Sequence, residues 1–382
     1  MYNVEQLGQV FTPQFIVNEM LQLRRNFGTT LEPSSGAGAF SENLPNCVSI
    51  EIDQKHCTKN SLNVDFFDYS VENKFDTIIG NPPYVRYQDI LQSTKEKLNN
   101  TLFDERTNLY LFFIEKSIKH LNPYGELIFI TPRDFLKATS SIKLNDFIFQ
   151  NGTITDIIEL GDKKIFDGAQ PNCIIWRFEK DNFSRRTNVQ KEFVLANGQL
   201  LFTENYYPIH FNDVFSVKVG AVSGNDKIFA NEKYANEEFV CSSTQKTGET
   251  RKMIFNIKND YLEQHKQELL QRRIRQFDET NWWQWGRLHH ISIKKRIYVN
   301  SKTRNKKPFF THDCKNYDGS VLAIFPNNQQ VNETELCEKL NSVNWHELGF
   351  VCDGRYIFSQ KSLENSLLPD YFNENAIKES LF

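Results

Sequence analysis

No Cys-x-x-Cys pair occurs in the 382 residues, and the seven cysteines (Cys47, Cys57, Cys173, Cys241, Cys314, Cys337 and Cys352) are scattered. Their odd number and irregular spacing argue against a disulfide framework or a zinc ribbon, so the expected setting is a reducing cytoplasm. The eight histidines include one adjacent pair, His289-His290, without ligand spacing, and no metal is expected. No apolar run approaches the ~18 residues a membrane span needs. The first residues, Met1 to Gln6, have neither a basic flank nor an apolar stretch, so no signal peptide is read there. Repeats and low-complexity tracts are absent. Neither sign of charge dominates: 45 Lys and Arg stand against 48 Asp and Glu, for a net charge of -3. Taken over the whole chain, that balance disfavours a nucleic-acid partner.

What is present is enough apolar surface for a packed core, with 39% hydrophobic and 24% charged residues. At roughly 100–200 residues per domain, the length predicts two domains. The first half alternates short apolar runs with amphipathic stretches. The runs are Thr29–Leu31, Cys47–Ile50, Asn63–Phe67, Phe75–Ile79, Leu127–Thr131, Ile154–Leu160 and Cys173–Phe178. Helical spacing is found in Phe15–Leu23 and in Leu109–His120, the latter after a Thr107 or Asn108 cap. This alternation predicts a mainly parallel sheet with helices on both faces. The last two runs, with Gly161 and Gly168 between them, predict an antiparallel edge hairpin. Beyond about Asp181 the chain becomes polar, aromatic and irregular. The expected boundary separates residues 1–185 from a mixed α+β domain at 186–382.

Four segments carry chemistry. Glu32-Pro33-Ser34-Ser35-Gly36-Ala37-Gly38-Ala39-Phe40 puts glycines at a strand-to-helix turn, where backbone can approach a ligand. No Gly-Lys-Ser/Thr follows, so it is not a P-loop, and Glu32 would repel a phosphate but suit a cationic or amine-bearing ligand. Glu51 ends the next strand, where an acid commonly takes ribose hydroxyls. Asp65 lies in Val64-Asp65-Phe66-Phe67-Asp68 and could face an adenine amine. Each of these alone also fits an ordinary turn or strand end. Asn81-Pro82-Pro83-Tyr84 is more specific. It closes the run Phe75–Ile79, where open α/β sheets keep their sites, and its two prolines fix the backbone.

Together these segments resemble the gamma class of S-adenosylmethionine-dependent DNA adenine-N6 methyltransferases, the TaqI-like methylases of type II restriction-modification systems. Asn-Pro-Pro-Tyr is similar to that family's catalytic motif. Gly8-Gln9-Val10-Phe11-Thr12-Pro13 resembles its Phe-Thr-Pro segment, and the order of motifs is the same over about residues 8–180. The resemblance implies a Rossmann-like sheet and a catalytic set of Asn81, Pro82, Tyr84 and Phe166. Phe166 sits in Lys164–Asn172, which resembles the loop carrying an aromatic against a flipped base. The implied cofactor set is Phe11, Thr12, Pro13, Glu32, Pro33, Ser34, Gly36, Glu51, Ile52, Asp65, Phe66, Asn81 and Pro83.

Split at residue 180, the charges separate. Residues 1–180 hold 18 basic and 23 acidic residues, net -5, and residues 181–382 hold 27 and 25, net +2. Asn281–His312 contains eight Lys/Arg and no acid, interleaved with Trp, Tyr and Phe. With the preceding Arg272-Arg273-Ile274-Arg275 it reads as a phosphate-backbone footprint. The expected DNA contacts are Arg272, Arg273, Arg275, Trp283, Trp285, Arg287, Lys294, Lys295, Arg296 and Arg304. A solvated charged face is the plainer alternative. Val219–Phe229 has a weaker likeness to a glycine-containing segment of target-recognition regions.

The expected function is therefore site-specific methylation of a flipped-out adenine at N6, with double-stranded DNA as partner. A cognate restriction endonuclease would share the target site without necessarily binding. The expected state is a monomer off the membrane. Protein-glutamine, N4-cytosine and RNA amino-methyltransferases use similar chemistry and stay open as alternatives. So does a non-catalytic DNA-binding protein on the same scaffold.

Overall fold

The computed structural model describes residues 11–104, 107–160, 172–352 and 354–376. The chain divides into two compact units, Met1–Glu204 and Asn205–Phe382.

The first unit is built on a seven-stranded sheet. Its strands are β1 (Thr30–Glu32), β2 (Cys47–Glu51), β3 (Ser61–Asn63), β4 (Phe75–Gly80), β5 (Leu121–Pro132), β6 (Gly152–Glu159) and β7 (Cys173–Lys180). Their order is β3-β2-β1-β4-β5-β7-β6. Strands β1 to β5 run parallel, and β7 is antiparallel to both β5 and β6. The mainly parallel sheet and its antiparallel edge hairpin are thus as expected.

Strands covered on both faces should be apolar at successive positions rather than alternately. Ile78, Leu127 and Phe129 belong to one core with the helices Leu109–His120 and Ile142–Asn151. Their neighbours Ile79, Ile128 and Ile130 belong to the other, with Ile16, Val17 and Met20 of the helix Gln14–Gln22. Helix Leu109–His120 begins where Asn108 accepts a hydrogen bond from the Tyr110 N–H at 3.4 Å.

Within the sheet lies a buried charge cluster. Arg177 on β7 donates to Glu126 on β5 at 2.6 Å, and pairs with Glu179 at 2.5 Å and Asp156 at 3.4 Å. Glu126 also accepts from the Thr77 hydroxyl on β4 and from the Asn26 N–H. The low-dielectric interior tolerates this carboxylate because every side of it meets a donor.

Two expectations change here. The run Asn63–Phe67 is not a strand: β3 ends at Asn63, and Phe66–Asp68 is a short 3₁₀ turn. Asp65 caps that turn by accepting from the Phe67 N–H at 2.9 Å, which draws the backbone out of the sheet. The division between units falls at 204/205 rather than 185/186. Strands β8 (Glu192–Ala196) and β9 (Gln199–Thr203) form a hairpin within the first unit. Phe193 packs against Phe149, and Gly198 O accepts from the buried Asn145 amide at 2.8 Å.

The second unit is antiparallel with short helices, in keeping with the mixed α+β expectation. Strands Phe215–Val219, Val321–Pro326, Ile297–Asn300 and Phe309–Phe310 make a four-stranded sheet in that order. One core gathers Phe239, Met253, Trp282 and Trp285, and another gathers Tyr298, Tyr317 and Phe325.

Candidate active site

The strand order reverses between β1 and β4, one leading away to β2 and the other to β5. A crevice opens beyond the C-terminal ends of strands at such a point. Here it is a cavity of about 290 Å³.

The loop after β1 forms its floor. Gly36 and Gly38 have φ of +50° and +83°, a region in which a Cβ is strained. The Ser35 N–H reaches Ile50 O at 2.8 Å, and the Gly36 N–H reaches a Glu51 carboxylate oxygen at 2.7 Å. The other Glu51 oxygen accepts from the Asp53 N–H at 2.8 Å. Glu32 accepts from the Phe40 and Ser41 N–H groups at 3.3 and 2.7 Å. Burial pushes the Glu32 carboxyl up from 4.5 to about 7, and the bonds from Ser41 and Phe40 pull it back only in part. Asp65 accepts from Thr94 Oγ1 at 2.7 Å besides capping its own turn. The acids that face the cavity therefore also hold its walls. A carboxylate has about four lone-pair sites, so these bonds leave room for a ligand.

The loop after β4 forms the opposite wall. Ser34 Oγ donates to Asn81 O at 3.1 Å and joins the two loops. Asn81 Nδ2 donates to Thr12 Oγ1 at 3.2 Å. Tyr84 donates its hydroxyl to Ile130 O at 3.0 Å, with Cys173 Sγ 3.9 Å away. Burial first, then Cys173, hold this phenol well above its ordinary value, so it stays a neutral donor.

Of the expected cofactor residues, all but Pro13 line the cavity. Pro13 instead starts the helix Gln14–Gln22, its carbonyl accepting from Ile16 and Val17. Asn81 and Pro82 line it as well; Tyr84 stands beside them with its hydroxyl turned into β5. Phe166 lies outside the described residues. The lining also includes His56, Ile90, Leu91 and Thr94, which sequence reading did not single out, and Phe40 and Phe113, which it read only as the end of the glycine segment and as part of the helix Leu109–His120. Ile90, Leu91 and Thr94 come from the connection after Tyr84, which has no periodicity to mark it.

The residues of the second unit expected to contact DNA divide by burial. Arg273, Arg275, Arg287, Lys294, Lys295 and Arg304 are exposed, and Trp283 is half-buried. Arg272, Trp285 and Arg296 are interior, which corrects their expected place on the surface. Arg272 donates to the carbonyls of Leu269, Ser223 and Trp282 and lies 3.8 Å over the Phe277 ring centre. Trp285 donates to Ile254 O at 2.8 Å and stacks on Phe239. A guanidinium so satisfied acts as a staple for its own loops.

Residues 31–166 match the family model described as Eco57I restriction-modification methylase. Among curated proteins the chain is 31% identical over 262 residues to the type II methyltransferase M.HincII of Haemophilus influenzae, covering 63% of this chain and 50% of that one. It is 30% identical over 196 residues to M.TthHB8I of Thermus thermophilus, covering 46% and 45%. The chain thus spans about half the length of the curated relatives it matches. Its fold is similar to that of the Type IIL restriction-modification enzyme MmeI, solved in complex with DNA. The TM-score is 0.58 at 12% identity, covering 92% of this chain and 64% of that one.

Proposed function

From a chain whose residues 31–166 match the Eco57I restriction-modification methylase family model, we propose a site-specific DNA methyltransferase acting on the N6 amine of adenine. The substrate is double-stranded DNA, and the setting is a type II restriction-modification system. The observation that carries this reading is the single cavity shared by Asn81 and Pro82 with Glu32, Glu51 and Asp65.

That cavity suits S-adenosylmethionine. Its acids suit an ammonium, ribose hydroxyls and an exocyclic amine, and Phe66, Ile52 and Ile90 give apolar walls for a ring. When bound, this cofactor supplies an electrophilic methyl group on a sulfonium. The chain's own part is positioning. Glu32 and the Gly36 loop hold the methionine end, Glu51 the ribose, and Asp65 the adenine edge.

The exocyclic amine of the target adenine is a poor nucleophile because its lone pair is delocalised into the ring. The Asn81 side-chain oxygen and the Pro82 carbonyl accept its two N–H bonds and favour a pyramidal, localised lone pair in the transition state. As the C–N bond forms, the methyl–sulfur bond of the sulfonium would break and leave a neutral thioether, and the surplus N–H proton would pass to water, since neither carbonyl acceptor is a base. An amide suffices at this place because no strong base is needed. Tyr84 offers its ring to the base, and Phe166 is proposed for the other side. A base inside the helix is out of reach of this array, so it is rotated out of the stack. Exposed Arg273, Arg275, Arg287, Lys294, Lys295 and Arg304 contact phosphates.

Transfer of labelled methyl groups to duplex DNA, followed by identification of the modified nucleoside, tests the proposal. Label in N6-methyladenine supports it; label confined to N4-methylcytosine or to protein contradicts it.

A further inference from the structure

The second unit leaves three aliphatic side chains of one loop uncovered. Leu288 is 50% exposed, Ile291 74% and Ile293 95%. Burying such groups is the usual source of stability, so a fixed loop that leaves them in water calls for another use.

This loop is held firmly. At its upstream end Arg287 and Val222 exchange backbone hydrogen bonds at 2.8 and 3.1 Å. Beneath it Arg296, 1% exposed, donates to the carbonyls of Lys294 at 3.2 Å and Lys315 at 2.8 Å, and to that of Ser292. Its guanidinium lies 4.8 Å from the Phe325 ring centre. His289 is buried against the rings of Phe239 and Tyr317. Downstream, the Lys295 N–H reaches Gln329 Oε1 at 2.9 Å.

Its rim is basic. Arg287, Lys294 and Lys295 are exposed on the loop. Arg273 and Arg275 are exposed on a neighbouring segment, whose Ile274 sits so close to Gly286 that a methyl group there would overlap it.

We propose that loop Arg287–Lys295 is a wedge that inserts the side chains of Ile291 and Ile293 between stacked base pairs of duplex DNA. This rests on the proposed DNA substrate. Apolar side chains prise a base step apart when a rigid backbone drives them and flanking cations hold the phosphates. Isoleucine suits the task, since its branched Cβ limits χ1 and keeps the tip stiff. Opening a step lowers the work of extruding the target base. Three side chains offer too little area for a stable self-association surface, and a cationic rim would repel its own copy.

The test uses the full chain and duplexes of the site mapped from its own methylation pattern. In each duplex one base outside the methylated position is replaced by 2-aminopurine, whose fluorescence rises on unstacking. Wild type should brighten one step. The Ile291→Ser/Ile293→Ser variant should lose that signal and bind the duplex about tenfold more weakly or worse, with its melting temperature unchanged. Ile357→Ala, at an isoleucine 41% exposed elsewhere in the unit, should keep both. Wild-type brightening and affinity in the double variant would overturn the wedge, as would an effect confined to a monomer–dimer equilibrium of the free protein. Failure of the wild type to methylate or bind any DNA would bring down the functional reading with it. Normal wild-type methylation alongside an unaffected double variant contradicts the wedge alone.

Discussion

The side-chain amide of Asn81 donates to the hydroxyl of Thr12 across 3.2 Å, joining two residues 69 positions apart. This bond commits the amide nitrogen and turns the oxygen into the accepting end. Thr12→Val removes the tether without removing the shape. It should lower kcat roughly tenfold, the worth of one well-placed hydrogen bond, with a smaller change in KM for DNA. Thr12→Ser keeps the hydroxyl and should restore most of the rate. Steady-state methyl transfer by the two variants checks this, and equal losses in both would contradict it.

Glu32 gives the site a pH dependence. Burial holds this carboxyl near 7, so it is largely neutral below that value. A cationic ligand group binds the carboxylate form, so cofactor affinity should rise as pH increases through about 7. Below that point it should weaken by up to about tenfold per unit. The ligand-free protein should show the opposite trend. Its folded state keeps a proton that the unfolded chain releases near 4.5, so this group's contribution to stability falls as pH rises from about 4.5 to about 7. Calorimetric titration with S-adenosylmethionine at about pH 6 and about pH 8 measures the first effect, and thermal melting without ligand the second. Glu32→Gln should flatten both.

Much of the first unit was legible in the sequence. The doubly covered strands write themselves as continuous apolar runs, and Leu109–His120 is a helix between the very residues its periodicity marked. The glycine loop and Asn81–Tyr84 were legible because each sits where a strand must end. What escaped is side-chain competition with the backbone. Asp65 turns Phe66–Asp68 out of the sheet, and nothing in composition separates that from a strand. Ile90, Leu91 and Thr94 escaped because a wall made by an irregular connection has no period. In the second unit, residue type misled: arginine suggests a surface, and Arg272 and Arg296 are interior. Only the folded loops supply the carbonyls that make such burial tolerable.

That contrast separates two neighbours. Arg272→Ala removes a buried group with three carbonyl partners and should destabilise the second unit by about 3 kcal/mol, with DNA affinity falling only as the fold does. Arg273→Ala should leave the melting temperature alone, weaken DNA binding and reduce the slope of log affinity against log salt by about one. Paired melting and salt-titration experiments check this. A stable Arg272→Ala protein with selectively weakened DNA binding would return Arg272 to the interface.

The buried pair Arg177–Glu126 should behave as structure alone. Arg177→Met leaves a 1%-exposed carboxylate without its cation and should cost about 3–5 kcal/mol in urea unfolding. Catalytic rate per folded molecule should be unchanged, because neither residue lines the cavity.

The most direct measurement compares wild type with Asn81→Ala on duplex DNA, reading both cofactor affinity and the modified nucleoside. Wild type should deposit N6-methyladenine at a defined sequence, while Asn81→Ala binds S-adenosylmethionine nearly as well and deposits essentially none. Near-normal methylation by Asn81→Ala, or DNA free of N6-methyladenine after treatment with wild type, would contradict the account.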